Sequence, residues 1–259
     1  MAITRVRLPE RAKAEFTPAV IDEICRNLFA IDCQICGTPL GLRVPALTVM
    51  GFDDNVRAIL HHETCAEARW GDGVIMLPAE PVLSYRTLDV LTSMVFLGGH
   101  VDGAAVNLPF VVVNPSLEAV FLSRDEGGDW RVETVDRYVR RGLHAGSREI
   151  QLTAVPGSVV HLEGPGVGSS PALMVQLDDG DRWVLRTNSV IAADIRRQRG
   201  VALVVTTVAD PTSFDPGRVT EELYALLDPG DCAVGWIPLA DAHQASDGGP
   251  AAPGSPDRA

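Results

Sequence analysis

Four residues near the N-terminus have the types and the spacing of metal ligands. Cys33 and Cys36 are separated by two residues, and His62 and Cys65 repeat that spacing further along, so the pattern is C-x2-C-x25-H-x2-C. Thiolate and imidazole groups are the ligands that zinc prefers, and four of them complete its tetrahedron. The sequence therefore predicts that Cys33, Cys36, His62 and Cys65 hold one structural zinc ion.

Local elements must bring the two ligand pairs together. Residues 46–50 and 56–60 have the composition of two strands joined by a turn. Residues 61–69 are rich in Ala, Glu and Arg and predict a short helix, whose first turn would place the ligand histidine and cysteine on one side. Gly37 follows the first cysteine pair, where such turns often need a positive φ. The expected order is a cysteine turn, a hairpin and a helix.

This arrangement resembles the treble-clef zinc-finger group, through the motif CQICG, the hairpin and the motif HETC. The resemblance covers about 40 residues and implies a structural zinc ion held by the same four side chains. It implies no particular activity, because one fold serves many functions. His61 is an alternative ligand to His62. The spacing favours His62, which would share a helical face with Cys65, whereas His61 would lie on the opposite side.

Catalytic readings of the same stretch are the main alternatives. His61 and Glu63 form the H-x-E triplet of zinc deaminases, but the order of the motifs is reversed and Cys65 would occupy the position that water requires. A metal-dependent hydrolase or HNH-like nuclease would use His61 and Glu63, with His100 and Asp102 as further candidates. The closed ligand set favours a structural zinc and no catalytic residues.

Composition restricts the partners. The formal charge of -12 and a pI near 4.9 disfavour binding to nucleic-acid phosphates or to anionic membranes. Nucleic-acid binding would need a local basic surface, and the densest arginine groups are at positions 137, 140 and 141 and at positions 196, 197 and 199. The chain has no apolar run long enough for a signal peptide or a membrane span. We therefore expect a cytoplasmic protein whose partner is another protein.

The expected fold class is α+β. Residues 1–75 are predicted as an N-terminal helix and a treble-clef zinc module, residues 80–239 as a larger mixed α/β domain, and residues 240–259 as a disordered tail. Thr17 and Pro18 have the types that begin a helix. In the larger domain we expect strands at residues 86–97, 110–113, 119–123, 130–133, 149–155, 158–162, 172–177, 182–187, 201–208 and 232–237, with helices beginning near residues 134, 189 and 215.

Two further features are expected to be structural. Cys25 and Cys232 lack a neighbouring motif and are predicted to be buried thiols that pack as small apolar groups. The glycine-rich loop at residues 164–171 precedes a predicted strand, whereas a phosphate-binding loop would begin a helix. We interpret it as a flexible loop.

Overall fold

The structure is a computed structural model of the 259-residue chain. It describes residues 5–28, 32–52, 54–72, 88–96, 105–117, 119–146, 152–164, 170–178, 182–207, 214–215, 218–227 and 232–240. The helices of these residues are α1 (Glu10–Glu15), α2 (Pro18–Asn27), α3 (Thr134–Arg140), α4 (Ser189–Gln198) and α5 (Val219–Leu226). The strands are β1 (Ala46–Phe52), β2 (Asn55–His61), β3 (Arg69–Asp72), β4 (Leu88–Phe96), β5 (Ala105–Val113), β6 (Ala119–Arg124), β7 (Trp130–Val132), β8 (His144–Ala145), β9 (Val159–Glu163), β10 (Ala172–Gln176), β11 (Arg182–Arg186), β12 (Gly200–Thr206) and β13 (Cys232–Pro238).

The first sheet has the order β3-β1-β2-β6-β7 and carries the candidate metal centre at one end. The predicted hairpin is confirmed, because β1 and β2 pair antiparallel from Ala46 opposite His61 to Phe52 opposite Asn55. One face of the sheet is buried under α1 and α2. The Thr17 side chain accepts a hydrogen bond from the backbone N–H of Val20 and caps α2 as predicted.

The apolar face of α2 packs on the sheet beside the first ligand turn. Val20, Ile24 and Leu28 are buried in the same cluster as Cys33 and Leu40. Burying a large aliphatic side chain contributes about 1.5 to 3 kcal/mol. Helix α2 therefore supports the backbone that presents the cysteines.

Strands from both of the expected domains meet in this sheet. β6 pairs antiparallel with β2 and β7 pairs with β6, although both strands lie beyond residue 80. The side chains of Phe16, Trp70 and Trp130 also form one aromatic cluster, with ring centroids 5.3 to 5.8 Å apart. The sheet therefore contains strands from both sides of the boundary predicted between residues 75 and 80.

The second half of the chain forms two further sheets. One has the order β4-β5-β12-β13-β8 and the other has the order β11-β10-β9. β12 lies between β5 and β13, and all seven of its residues are buried. Apolar clusters cover both faces of the larger sheet, one including β9 to β11 and the other including α5. The strand predicted at residues 201–208 is thus a central strand that is covered on both faces.

Most of the described elements of this half match the predicted positions. The prediction of a strand at residues 149–155 is wrong for its described residues, because residues 152–155 form only an isolated bridge from Ala154 to Trp236. The short strand β8 was not predicted, and α5 begins at Val219 rather than near residue 215.

Two further differences concern β5 and α3. β5 begins at Ala105 and passes through Pro109, because the pairing with β12 starts only at Phe110 and the proline interrupts no bond on that side. Thr134 is the first residue of α3 and does not cap it, because Glu133 is the N-cap residue and the Thr134 hydroxyl accepts a hydrogen bond from Phe121 N–H.

Some expectations fall on residues that the structure does not describe. These are the tail from residue 241 onward, residues 165–169 of the glycine-rich loop, and the segment containing His100 and Asp102. Among the described helices, none is both long enough and apolar enough to span a membrane.

Candidate metal centre

The first ligand turn spans Cys33 to Gly37. Its backbone closes through a hydrogen bond of 2.8 Å from Gly37 N–H to the Cys33 carbonyl, and Cys33 N–H donates to Thr38 at 2.9 Å. Gly37 has a φ of 70°, which confirms the predicted positive φ. The Cys33 side chain is fully buried, whereas Cys36 is exposed. The turn therefore presents one sulfur from the core and one from the surface.

The second ligand turn is not helical, so the prediction of a helix over residues 61–69 is wrong. β2 ends at His61, a single turn follows, and β3 begins at Arg69. The turn closes by hydrogen bonds from Cys65 N–H and Ala66 N–H to the His62 carbonyl, at 3.0 and 3.3 Å. Helix propensity is a weak preference, and here the parallel pairing of β3 with β1 requires extended backbone. The likeness to the treble clef is thus limited to the first turn and the hairpin.

The two turns bring all four predicted ligands together. The ligand atoms of Cys33, Cys36, His62 and Cys65 all lie within 4.8 Å of one another. His62 Nδ1 is 3.5 Å from Cys36 Sγ and 3.7 Å from Cys65 Sγ. A zinc tetrahedron with bonds of about 2.0 to 2.3 Å has edges of about 3.5 to 3.8 Å. The donor set and its spacing therefore fit a metal ion such as zinc.

Hydrogen bonds around the ligands orient them for this role. His62 Nε2 lies 3.0 Å from the Pro39 carbonyl. Because a carbonyl only accepts, Nε2 carries the proton and Nδ1 keeps a lone pair facing the sulfurs. Backbone N–H groups of Ile35 and His62 both donate to Cys33 Sγ at 3.4 Å, and these two contacts orient the sulfur.

His61 faces away from the cluster. Its side chain is fully buried, its Nε2 lies 2.8 Å from the Thr48 hydroxyl, and its Nδ1 lies 3.0 Å from the His62 carbonyl. Burial lowers the pKa of His61. Adjacent residues at the end of a strand point to opposite faces, so the four-atom cluster includes His62 and excludes His61.

The thiols differ in how readily they ionise in the absence of a metal. The hydrogen bond with Thr38 lowers the pKa of Cys36 to about 6. Partial removal of its sulfur from water and the neighbouring thiols raise the pKa of Cys65 to about 11. Several negative charges cannot accumulate in so small a space without a cation, so metal binding is expected to release protons.

The residues of the catalytic alternatives do not converge in the described structure. Glu63 is exposed and forms a salt bridge with Arg7, and His61 is held by Thr48 on the other side of the sheet. His100 and Asp102 lie outside the described residues. The cluster has three sulfurs and one imidazole, so it has the donors of a closed site.

The arginine groups make contacts within the protein. Arg140 forms a salt bridge of 2.6 Å with Glu133, and Arg197 forms one of 2.6 Å with Asp194. The guanidinium of Arg137 stacks over Phe121 at 4.2 Å from the ring centroid. These three of the six arginines therefore contact other groups of the protein, and the contacts provide no positive support for phosphate binding.

Several residues that support the cluster were not identified from the sequence. Pro39 supplies the carbonyl that orients His62, Thr38 contacts Cys36, and Thr48 contacts His61. No motif marks the carbonyl of Pro39, because any residue has one. The adjacent pair His61 and His62 does indicate that only one of them is a ligand. The side chains of two neighbours at a strand end point to opposite faces, so only one can face the other ligands.

The remaining predictions for the cysteines are partly confirmed. Cys232 is fully buried, and Cys25 is half-buried. Burial raises the pKa of the Cys25 thiol, which keeps it protonated and less reactive.

Comparisons of the chain with protein-family models, with curated proteins and with solved structures give no match.

Proposed function

We propose that this chain is a zinc-binding protein in which Cys33, Cys36, His62 and Cys65 hold one structural zinc ion. The observation that carries the proposal is the closed set of four ligand atoms within 4.8 Å of one another. Cys65 occupies the position that a catalytic zinc would leave to water. The ion would join two ligand turns that are separated by the β1–β2 hairpin, and so would stabilise this end of the sheet.

We propose further that the protein acts by binding another protein. Ile35 belongs to the first ligand turn, and Leu42 and Val44 lie in the loop after it; all three are exposed. Contiguous exposed apolar surface is typical of interaction sites, and the nearness of these three side chains along the chain supports such a site here. Cysteine thiolates that bind a metal are favoured in a reducing compartment, so we propose that the protein is cytoplasmic.

Metal analysis of the purified protein tests the zinc assignment. We expect about one zinc per chain, and we expect Cys33→Ser and His62→Ala to lose the metal and to unfold at lower temperature, because zinc binding contributes directly to folding. Cys25→Ser is the matched control, since Cys25 lies on α2 and outside the cluster. It should retain the metal. Wild-type protein that is purified without metal and does not bind added Zn²⁺ would contradict the assignment.

Site-specific crosslinking tests the protein partner. A photoreactive residue in place of Leu42 should give a discrete crosslinked product in cells, because that side chain is fully exposed beside the ligand turn. The same residue in place of Val184 is the control, since Val184 is also an exposed apolar side chain but lies on β11. Identical products from the two positions would argue against an interaction site at the ligand turn.

A further inference from the structure

We propose that His61 is a positioning residue of the metal centre: it holds the carbonyl of His62, and through that carbonyl it sets the second ligand turn. This inference rests on the zinc site proposed above. It assigns a role to the buried histidine that is not among the four clustered ligands.

The His62 carbonyl is the point at which the turn is organised. It accepts the N–H groups of Cys65 and Ala66 at 3.0 and 3.3 Å, and the His61 ring approaches it at 3.0 Å through Nδ1. The two backbone donors belong to the turn itself and move with it. The His61 side chain is the donor that connects this oxygen to the sheet.

The partners of the ring determine its tautomer. A carbonyl oxygen can only accept, so Nδ1 of His61 carries the proton and donates to His62. In the neutral ring Nε2 is then an acceptor, and it receives the Thr48 hydroxyl at 2.8 Å. Both ring nitrogens are therefore satisfied inside the protein, which fixes the ring in one orientation.

Thr48 links this ring to rigid structure. It lies on β1, which pairs with β2 on one side and β3 on the other, and its side chain is only 2% exposed. Thr48 pairs with Ile59, and His61 lies two residues further along the same face of β2. A chain of hydrogen bonds thus runs from the middle of the sheet through His61 to His62, whose own N–H donates to Cys33 Sγ.

Loss of these hydrogen bonds should lower the affinity of the site for the metal. Without the His61 donor, the His62 carbonyl is held only by its own turn, so the imidazole and the Cys65 sulfur lose a fixed position relative to Cys33 and Cys36. Hydrogen-bonding partners behind metal ligands typically change metal affinity by about 10- to 100-fold when removed.

Four variants separate positioning from packing. His61→Leu removes both hydrogen bonds, whereas His61→Asn keeps an N–H donor near the position of Nδ1. Thr48→Val removes the hydroxyl with little change of shape, and Thr48→Ser keeps it. All four affect the same buried site, and within each pair one variant keeps a hydrogen-bonding group that the other removes.

Metal affinity and the Co²⁺ absorption spectrum are measured for each variant, by competition with a chromophoric chelator and by titration of the metal-free protein. We expect His61→Leu to bind Zn²⁺ about 10- to 100-fold more weakly and to shift the Co²⁺ bands. Thr48→Ser should keep most of the affinity and the spectrum, whereas His61→Asn and Thr48→Val, which each lose the bond between residue 48 and the ring, should lie between wild type and His61→Leu.

Two outcomes would overturn the positioning role. One is wild-type affinity and an unchanged Co²⁺ spectrum in His61→Leu, and the other is an equal loss in His61→Leu and His61→Asn, which would indicate packing alone. If the unsubstituted protein bound neither Zn²⁺ nor Co²⁺, the zinc assignment itself would fail, and that result is distinct from both.

Discussion

Glu133 illustrates how a single buried charge is stabilised in this protein. Its side chain is 7% exposed and lies 2.6 Å from Arg140 and 2.8 Å from Arg131. Burial alone would raise the pKa of Glu133, but the hydrogen bonds from the two guanidinium groups outweigh it and lower the pKa. Both arginines are about half exposed, so water screens part of the attraction.

Replacing Glu133 should destabilise the protein in a way that depends on pH. A carboxyl whose folded-state pKa is lowered contributes stability above its unfolded-state pKa and loses it as the pH falls through the folded-state pKa. We expect Glu133→Gln to lower the free energy of unfolding by about 1 kcal/mol at neutral pH, measured by urea unfolding, and by less in acid. Glu126→Gln, at an exposed turn, is the control. A cost that is the same at both pH values would contradict this role.

At the scale of elements, the second ligand turn has few backbone hydrogen bonds of its own. Its backbone bonds are the two that the His62 carbonyl accepts, and the strands on either side end at His61 and begin at Arg69. The first turn is similarly small. Short turns of this kind do not hold their geometry by local hydrogen bonds alone, so a metal ion would supply much of their stability.

Chelation of the metal should therefore loosen the ligand turns before the rest of the protein. Hydrogen exchange measured by mass spectrometry should become faster in peptides covering residues 33–39 and 62–68 when zinc is removed, because these amides depend on the metal. Peptides from β12, which is buried between two strands, should exchange at an unchanged rate. Uniform acceleration across the chain would instead indicate that the metal controls global folding.

At the scale of the whole molecule, the first sheet joins the two halves of the chain. β6 and β7 complete the sheet that carries the candidate metal centre, and Trp130 of β7 packs against Phe16 and Trp70. Glu15 reinforces the connection, since its carboxylate accepts from Arg124 at 2.6 Å and from Trp130 Nε1 at 3.3 Å. Residues from the first 75 positions thus depend on later strands for their core.

A fragment containing only residues 1–78 should not fold independently. It would expose the edge of β2 and would lack Val120, Leu122 and Trp130 from its core cluster. Loss of buried groups of this size costs several kcal/mol, which is a large share of the stability of a small domain. We expect no cooperative thermal transition by circular dichroism, even with added Zn²⁺, whereas the full chain should show one. A cooperative transition in the fragment would support a boundary near residue 75.

The sequence by itself determined the chemistry of the candidate site and most of the element positions. The chemical types of the four ligands follow directly from the sequence. The two-residue spacing within each pair, Cys33 with Cys36 and His62 with Cys65, also limits the geometry in which their side chains can meet. Local signals also located β1, β2, α4 and β12, because turn residues, the capping Asn188 and a continuous apolar run act over short distances.

The tertiary structure alone decided the features that depend on distant pairing. Residues 69–72 form a strand because they pair with β1, and no local preference for helix outweighs that bonding. β6 and β7 join the first sheet because β2 has a free edge and an apolar face to complete. The spacing favoured His62 as the ligand on the ground of a shared helical face, but no helix forms there, and the different positions of His61 and His62 follow instead from where β2 ends. In each case the deciding contact joins residues that are far apart in the chain, and only the folded protein brings them together.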